Sequence, residues 1–414
     1  MVLKSVHPSW LDNFSDAIVN LDNAHLRRTR RVVMPAQGAN LRVIDTQNHT
    51  DETVLAFCSN DYLGLSRHAD LIAAACQTAC STGVGAGASP LVSGHSFENQ
   101  CLEEELATFV GLPRALYFYA GYAANMGIVP ALVGEGDAIF SDQLNHACLI
   151  DGARLSKAVI HRYAHKDLVM LENSLKNSTA IRKLIISDAV FSMDGSLANI
   201  TALYELSERY DALLLLDDAH GFGVLGEKGA GSLMQVGLTH QYFKRRILYM
   251  ATLGKAAGVA GAFVAGDSTL IEWLMQSTRS YIFATAPPAL LASSVRASLR
   301  VMTQETLRQA YLRDLIAYFK HSMLSFLALK PNTWQLLPSN TPIQPLLIGS
   351  NSAALAVMQA LWQQGFWVAA IRPPTVPVGT ARLRITLSCL HTIADVDCLI
   401  EALTHIKTHL KLSI

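Results

Sequence analysis

The chain has 414 residues, of which 50% are hydrophobic and 16% are charged, so it is long enough to bury a large core and too apolar to be disordered. Its 33 basic residues balance its 33 acidic ones, which excludes a protein that attracts nucleic acid through a global positive charge. Its seven cysteines contain no C-x-x-C pair, so we expect no metal site and a reducing compartment. The N-terminal stretch lacks the apolar core of a signal peptide, so we expect a cytoplasmic protein.

The first predicted element is a helix over residues 8–31, which ends in the basic sequence HLRRTRR. Solvent exposure is the simplest explanation for most of these arginines, although one of them is a candidate for contact with an anionic substrate group. Residues 55–65 (LAFCSNDYLGL) predict a strand that stops at a polar turn. The glycine-rich segment 83–96 follows a helix rather than a strand, so it fails the context test for a dinucleotide-binding loop.

Residues 114–132 (RALYFYAGYAANMGIVPAL) predict a strand, a glycine turn and a helix. Gly121 and Tyr122 fall at the start of that helix, where backbone N–H groups bind phosphate well. Glycine and proline interrupt the uncharged run 117–134, so we expect a turn and a helix there and no membrane span. Further along, His146 opens another predicted helix, and residues 184–200 predict a buried strand that ends in polar residues.

Residues 213–223 (LLLLDDAHGFG) predict a buried parallel strand followed by Asp217, Asp218 and His220. Ligands bind beyond the carboxyl ends of such strands. Lys255 lies 38 positions after Asp217, among glycines and small apolar residues. A lysine in these surroundings loses its proton more easily, which suits Schiff-base formation. An acid, a histidine and a lysine in this order are what pyridoxal 5′-phosphate (PLP) needs.

The C-terminal part begins after a pair of prolines with long predicted helices over residues 289–329. We divide the chain into an N-terminal segment (1–50), a large cofactor-binding domain (51–289) and a small C-terminal domain (290–414). Near the end lies IRPPTVPVGTARLRITLS (371–388), in which Arg384 is the candidate for binding a substrate carboxylate. We expect Arg382 to point to the opposite face of the strand and to take no part.

Taken together, FCSNDYLGL, NHACLIDG, DAVFSMDG, DDAHG with TLGK, and IRPPTVP resemble the α-oxoamine synthase family of fold-type I PLP-dependent enzymes. The resemblance covers residues 25–405. It implies an α/β fold of the aspartate aminotransferase type, with a mostly parallel seven-stranded sheet and a smaller C-terminal α/β domain. It also implies a homodimer with active sites at the subunit interface.

The resemblance also implies roles for individual residues in binding PLP. Asp217 would bind the pyridinium nitrogen, His220 the 3′-oxygen and Lys255 the aldehyde. The ring of His146 would stack on the cofactor ring, and Ser192 would donate a hydrogen bond to it. The remaining three residues of this set would contact the phosphate: Gly121, Tyr122 and Thr252.

For the substrates, the resemblance implies that Asn60 and Arg384 lie near the carboxylate of the amino acid, next to His146. An N-terminal arginine, best placed at Arg30 with Arg28 as the second choice, and Thr375 would line the acyl-substrate channel. The segment IRPPTVP is typical of members that condense L-alanine with a pimeloyl thioester and release carbon dioxide, giving 8-amino-7-oxononanoate in biotin biosynthesis. Coenzyme A and acyl carrier protein are both open as the thioester carrier.

Three alternatives stay open at this point. The nearest is another acyltransferase of the same family, such as a glycine C-acetyltransferase, a 5-aminolevulinate synthase, a serine palmitoyltransferase or a synthase of α-amino-ketone signals. The second is a different PLP reaction such as aminotransfer, which release of the carboxyl group as carbon dioxide would exclude. The third is a binding protein that kept the fold, which the presence of Asp217, His220 and Lys255 disfavours.

Overall fold

The computed structural model describes residues 9–35, 37–45, 50–238, 245–328 and 334–409. In these ranges the strands are β1 (Val32–Pro35), β2 (Asn40–Asp45), β3 (Thr50–Ala56), β4 (Arg114–Phe118), β5 (Ala138–Asp142), β6 (Val159–Tyr163), β7 (Lys183–Asp188), β8 (Ala212–Asp217), β9 (Ile247–Thr252), β10 (Ala262–Gly266), β11 (Gln335–Leu336), β12 (Ile343–Gly349), β13 (Phe366–Trp367), β14 (Ala369–Ile371) and β15 (Ala381–Thr386). The α-helices are α1 (Trp10–Asn23), α2 (Ala69–Thr82), α3 (Phe97–Val110), α4 (Gly121–Leu132), α5 (Ala147–Ser156), α6 (Leu168–Asn177), α7 (Ile200–Arg209), α8 (Ser232–Gln235), α9 (Ser268–Ser277), α10 (Arg279–Ile282), α11 (Ala289–Gln304), α12 (Leu307–Ala328), α13 (Asn351–Gln363) and α14 (Ile393–His409).

A seven-stranded sheet forms the centre of the molecule, in the order β4-β10-β9-β8-β7-β5-β6. Strand β10 runs antiparallel to both of its neighbours, and the other adjacent pairs are parallel. Strands such as β8 and β9 are apolar and buried almost throughout, as expected where helices cover both faces of a sheet. The prediction of a mostly parallel seven-stranded sheet is confirmed.

The register of this sheet brings the polar strand ends to one edge. Asp188 at the end of β7 pairs with Asp217 at the end of β8, and Asp217 in turn pairs with Met250 near the end of β9. Helix α4 begins at Gly121, just after the end of β4. The edge that gathers these ends is where a ligand site is expected in an α/β sheet.

Two smaller sheets flank the centre. One has the order β11-β12-β15-β14 and is antiparallel, and β15 carries Arg382 and Arg384. The other joins β1, β2 and β3 to β13, which comes from the C-terminal part of the chain. The Arg31 guanidinium lies 3.8 Å from the ring centroid of Trp362 and reinforces this contact. The domain boundaries at residues 50 and 289 stay predictions.

The N-terminal helix is shorter than predicted, since α1 ends at Asn23 and not at residue 31. His25 adopts a left-handed backbone with φ of 55°, and the amide of Leu26 donates to the carbonyl of Leu21 over 2.8 Å. This left-handed residue stops the helix before the arginines, which then lead into β1.

The uncharged run 117–134 forms the end of β4 and then α4, as expected. No helix within the described ranges is both long enough and apolar enough to cross a membrane.

The turn that carries Lys255 lies between β9 and β10 and packs against the turn that follows β3. Gly258 has φ of 73°, and its amide donates to the carbonyl of Lys255 over 2.9 Å. A Cβ at Gly258 would lie 2.5 Å from the amide nitrogen of Ser66, which is closer than real Cβ contacts. Glycine is therefore required here both for its backbone angle and for the close approach.

We predict that Gly258→Ala destabilises the protein more than Gly237→Ala. Both glycines have φ of 73°, but a Cβ at Gly237 meets no atom of the described residues within 4 Å. The left-handed strain is therefore common to the two variants, and only Gly258→Ala adds overpacking, which costs about 1–3 kcal/mol. Chemical denaturation of both variants measures the difference. Equal losses of stability would show that the contact with Ser66 relaxes without cost.

Candidate active site

A cavity of about 340 Å³, counted with the space open to solvent, lies at the carboxyl edge of the central sheet. Its lining comprises Gly121, Tyr122, His146, Cys148, Asp188, Val190, Ser192, Asp217, Ala219, His220, Met250, Thr252 and Lys255. All eight residues predicted to bind the cofactor are in this set. The structure thus brings them together, and their individual binding roles stay predictions.

The carboxylate of Asp217 is held in place on both of its oxygens. Its Oδ2 accepts a hydrogen bond of 2.7 Å from Nδ2 of Asn125, and its Oδ1 accepts one of 3.0 Å from the amide of Ala219. Asn125 lies on α4 and is fully buried. Asn125 is not among the residues predicted from the sequence. The sequence signal that could have identified it is its position as an amide side chain on an otherwise apolar helix. A buried polar group of this kind needs a hydrogen-bond partner.

Lys255 is half-buried, and two carboxyl groups lie in its surroundings. Desolvation lowers the pKa of its amine, and the carboxylates of Asp217 and Asp188 oppose this effect. The net lowering favours the neutral amine, which is the nucleophilic form. This agrees with the expectation from the small apolar residues around Lys255, two of which, Ala256 and Ala257, are buried.

His146 precedes α5 and acts as its N-terminal cap. Its Nδ1 accepts a hydrogen bond of 3.3 Å from the amide of Cys148, and its own amide donates to Oδ1 of Asp188 over 3.3 Å. Desolvation lowers the pKa of the imidazole. The start of α5 and the carboxyl group of Asp188 therefore hold the backbone of His146 in place. The lowered pKa favours the neutral form of its imidazole, which lines the cavity.

Arg384 reaches the border of this cavity from β15. Its Nε donates to the carbonyl of Ser192 over 2.6 Å, and both terminal nitrogens lie 3.2 Å from Oδ1 of Asn60. A further hydrogen bond of 3.0 Å joins Arg384 to Thr386. The predicted proximity of Asn60 and Arg384 is therefore present, although the two residues are far apart in sequence.

The expectation that Arg382 points to the opposite face was wrong. Residues two positions apart on a strand share a face. Arg382 and Arg384 therefore face the same hairpin, where Arg382 pairs with Asp194 and also donates to the carbonyl of Thr380 over 3.0 Å. This ion pair, rather than strand direction, separates Arg382 from the cavity.

Arg30 and Thr375 are exposed and lie outside the set of residues that lines the cavity. The neighbouring Arg31 is the arginine that stacks on Trp362. The amide of Thr375 donates to the carbonyl of Arg372 over 3.2 Å, which places Thr375 in a turn. The roles of Arg30 and Thr375 in the acyl channel stay predictions.

Comparison with known proteins gives the family. The profile of the class I and II aminotransferases matches residues 52–403. An 8-amino-7-oxononanoate synthase 1 from Polaromonas sp. is 62% identical over 398 residues, which cover 96% of each chain. The 8-amino-7-oxononanoate synthase from Delftia acidovorans is 61% identical over 400 residues, covering 96% of this chain and 98% of the relative. The chain belongs to the 8-amino-7-oxononanoate synthase family.

Solved structures agree with this membership. An 8-amino-7-oxononanoate synthase from Francisella tularensis is 27% identical with a TM-score of 0.74, covering 87% of this chain and 99% of that one. The serine palmitoyltransferase from Sphingomonas wittichii, at 24% identity, has a TM-score of 0.84 and covers 97% of this chain and 98% of its own. The likeness to the palmitoyltransferase shows the shared fold alone. The predicted fold-type I architecture is confirmed.

This synthase family member contains a further buried carboxyl group directly beside Asp217. Oδ2 of Asp218 accepts hydrogen bonds from the amide of Ser232 (2.7 Å) and the hydroxyl of Tyr249 (2.8 Å). Its Oδ1 has no hydrogen-bond partner among the described residues. Burial raises the pKa of Asp218 to about 6, and the charge of Asp217 adds to this effect.

We predict that Asp218→Asn changes how stability depends on pH. The folded state holds the Asp218 proton more tightly than the unfolded state, whose pKa is about 3.9. The stabilisation is therefore complete below about pH 4 and is lost as pH rises through about 6, a loss of about 3 kcal/mol. Asparagine does not titrate, so the variant does not lose this stabilisation. Between the two pH values its free energy of unfolding should therefore rise relative to that of the wild type by about 3 kcal/mol. Denaturation midpoints at pH 4 and pH 7.5 measure this, and parallel curves for the two proteins would contradict it.

Proposed function

We propose that this protein condenses L-alanine with a pimeloyl thioester and releases carbon dioxide and free thiol, giving 8-amino-7-oxononanoate for biotin biosynthesis. Membership of the synthase family supports the reaction. The observation that carries the proposal is a cavity that joins Asp217, His220 and Lys255, with Arg384 bonded to Ser192 at its border.

The residues of the cavity fit PLP as the cofactor. Helix α4 begins without a side-chain cap from the described residues, so its first amides suit the binding of a phosphate. A Cβ at Gly121 would lie 2.4 Å from Cγ2 of Thr252, so only glycine lets these two residues approach each other. Asp217, already oriented by Asn125, offers a carboxylate for a protonated ring nitrogen. PLP, when bound, supplies a conjugated ring that accepts the electron pair left at the α-carbon of an amino acid.

We assign to Lys255 the attachment of the cofactor aldehyde and, once released, the removal of the α-proton of L-alanine. The lowered pKa of its amine supports both tasks, because each one requires a free electron pair on nitrogen. We assign to His146 stacking of its ring on the cofactor ring, as the family resemblance implies. Its backbone is held by the start of α5 and by Asp188.

We assign the binding of the L-alanine carboxylate to Arg384. A guanidinium held by the carbonyl of Ser192 is preorganised, so little side-chain entropy is lost on binding. Arg30 and Thr375 are proposed to contact the acyl substrate. Both are exposed, as a residue at a channel entrance must be. Comparison of turnover with pimeloyl-coenzyme A and with pimeloyl-acyl carrier protein distinguishes the two thioester carriers.

We also propose a homodimer, as the family resemblance implies. Helix α1 buries no residue within its own chain. Trp10, at 81% exposure, and the apolar residues Leu11, Phe14 and Ile18 are all exposed on this helix. An apolar surface of this kind is typical of protein contacts, and a second copy of the chain would cover it.

We predict that L-alanine perturbs the visible absorbance of the PLP-loaded protein at lower concentration than glycine or L-serine. Addition of pimeloyl-coenzyme A, or of pimeloyl-acyl carrier protein, should then yield 8-amino-7-oxononanoate, measured by mass spectrometry. Lys255→Ala is the control, in which turnover should be lost while the fold is kept. A preference for glycine or L-serine would assign the reaction to another acyltransferase, and turnover by Lys255→Ala would contradict the role of the lysine.

We predict that Arg384→Lys raises KM for L-alanine by about tenfold or more, because a lysine cannot form two parallel hydrogen bonds with a carboxylate. Arg382→Lys is the matched control. Arg382 lies two positions away on the same strand but pairs with Asp194, so KM for L-alanine should change little. Steady-state kinetics with L-alanine as the varied substrate measures both variants. Similar effects of the two substitutions would assign Arg384 a structural role only.

A further inference from the structure

A chain of hydrogen bonds connects Arg384 to His220 through the turn after β3. Oδ1 of Asn60 lies 3.2 Å from each terminal nitrogen of Arg384 and 3.2 Å from the hydroxyl of Tyr62. The same hydroxyl lies 2.6 Å from Nδ1 of His220. Tyr62 is fully buried and does not line the cavity, so it acts on a ligand only through its neighbours.

The number of protons available limits which groups donate and which accept in this series of hydrogen bonds. A tyrosine hydroxyl carries one proton, and it has two acceptors within reach. Oδ1 of Asn60 is already within reach of the Arg384 donors. The contact with His220 is the shorter one, at 2.6 Å against 3.2 Å for Asn60. The favoured arrangement therefore has Tyr62 donating to Nδ1 of His220.

The state of His220 follows from this arrangement. Burial lowers the pKa of its imidazole well below the usual value, and the charges of Lys255 and Arg384 act in the same direction. The neutral ring carries a single proton, which sits on Nε2 when Nδ1 accepts. His220 lines the cavity, and Nε2 is the ring nitrogen left over for a ligand.

We propose that Tyr62 is a positioning residue that holds His220 in the tautomer with its proton on Nε2, so that His220 donates a hydrogen bond into the cavity. The proposal rests on the proposed function, in which the acceptor is the 3′-oxygen of PLP. In the opposite arrangement Nδ1 would donate to Tyr62 and Tyr62 to Asn60. Nε2 would then present a lone pair to that oxygen, and the two would repel each other.

The variant Tyr62→Phe tests the hydroxyl alone, because it keeps the buried ring. Tyr163→Phe is the matched control, since Tyr163 is also buried but lies on β6 at the far edge of the central sheet. The measurement is solid-state NMR of protein labelled with ¹⁵N-histidine, with and without PLP. The signals of His220 are identified by their absence from His220→Asn.

We expect the wild type and Tyr163→Phe to show His220 with a proton on Nε2 and none on Nδ1. Tyr62→Phe should show a substantial fraction with the proton on Nδ1, and its kcat should fall by about tenfold. A proton on Nδ1 in the wild type would overturn the proposal, even if Tyr62→Phe did not fold. An unchanged tautomer in Tyr62→Phe would overturn it as well. Absence of 8-amino-7-oxononanoate as product would contradict the proposed function but leave the tautomer result intact.

Discussion

Three buried carboxyl groups at one edge of the central sheet set the electrostatics of the site. Asp188 and Asp217 end neighbouring strands in register, and Asp218 follows directly. Burial raises the pKa of Asp188 well above its usual value and that of Asp218 to about 6, and in both cases the charge of Asp217 adds to the rise. Asp217 accepts hydrogen bonds on both of its oxygens, and it is the carboxylate proposed to bind a cationic ring nitrogen.

The balance of burial and charge at this edge explains why Lys255 is suited to its proposed task. The carboxylates of Asp217 and Asp188 raise the pKa of its amine, but desolvation lowers that pKa by more. The net lowering favours the neutral amine, which is the nucleophilic form.

A hairpin over residues 190–197 joins this edge to the C-terminal sheet. It closes through a bridge between Val190 and Leu197 and meets two arginines of β15. Ser192 offers its carbonyl to Arg384, while Asp194 pairs with Arg382. The motif that contains Ser192, the proposed cofactor hydrogen-bond donor, therefore also orients the proposed carboxylate-binding residue. Hydrogen bonding to this hairpin thus fixes the position of Arg384 relative to the cavity, although Arg384 is distant from the hairpin in sequence.

Features that depend on local pattern were predictable from the sequence. Apolar runs ending in polar residues predicted the strands and placed Asp217 beyond the carboxyl end of one of them. The order of acid, histidine and lysine predicted that Asp217 and Lys255 serve one cofactor. Features that depend on chain reversal or side-chain geometry were not. The left-handed residue His25 shortens the first helix, and histidine adopts this conformation too rarely for the sequence to predict it. The strand face of Arg382 follows from the two-residue period and was wrongly assigned.

The residues that sequence reasoning missed hold other residues in place. Asn125 and Tyr62 act on Asp217 and His220 across 92 and 158 positions of sequence. The role of an acid or a lysine at the end of a buried strand is predictable from its residue type, because few roles suit such a residue there. A buried amide or phenol has many roles open to it, and only its partner decides among them. The packing of helices and turns on the sheet determines these partners. The orientation of a catalytic group can therefore be predicted only when the fold is known.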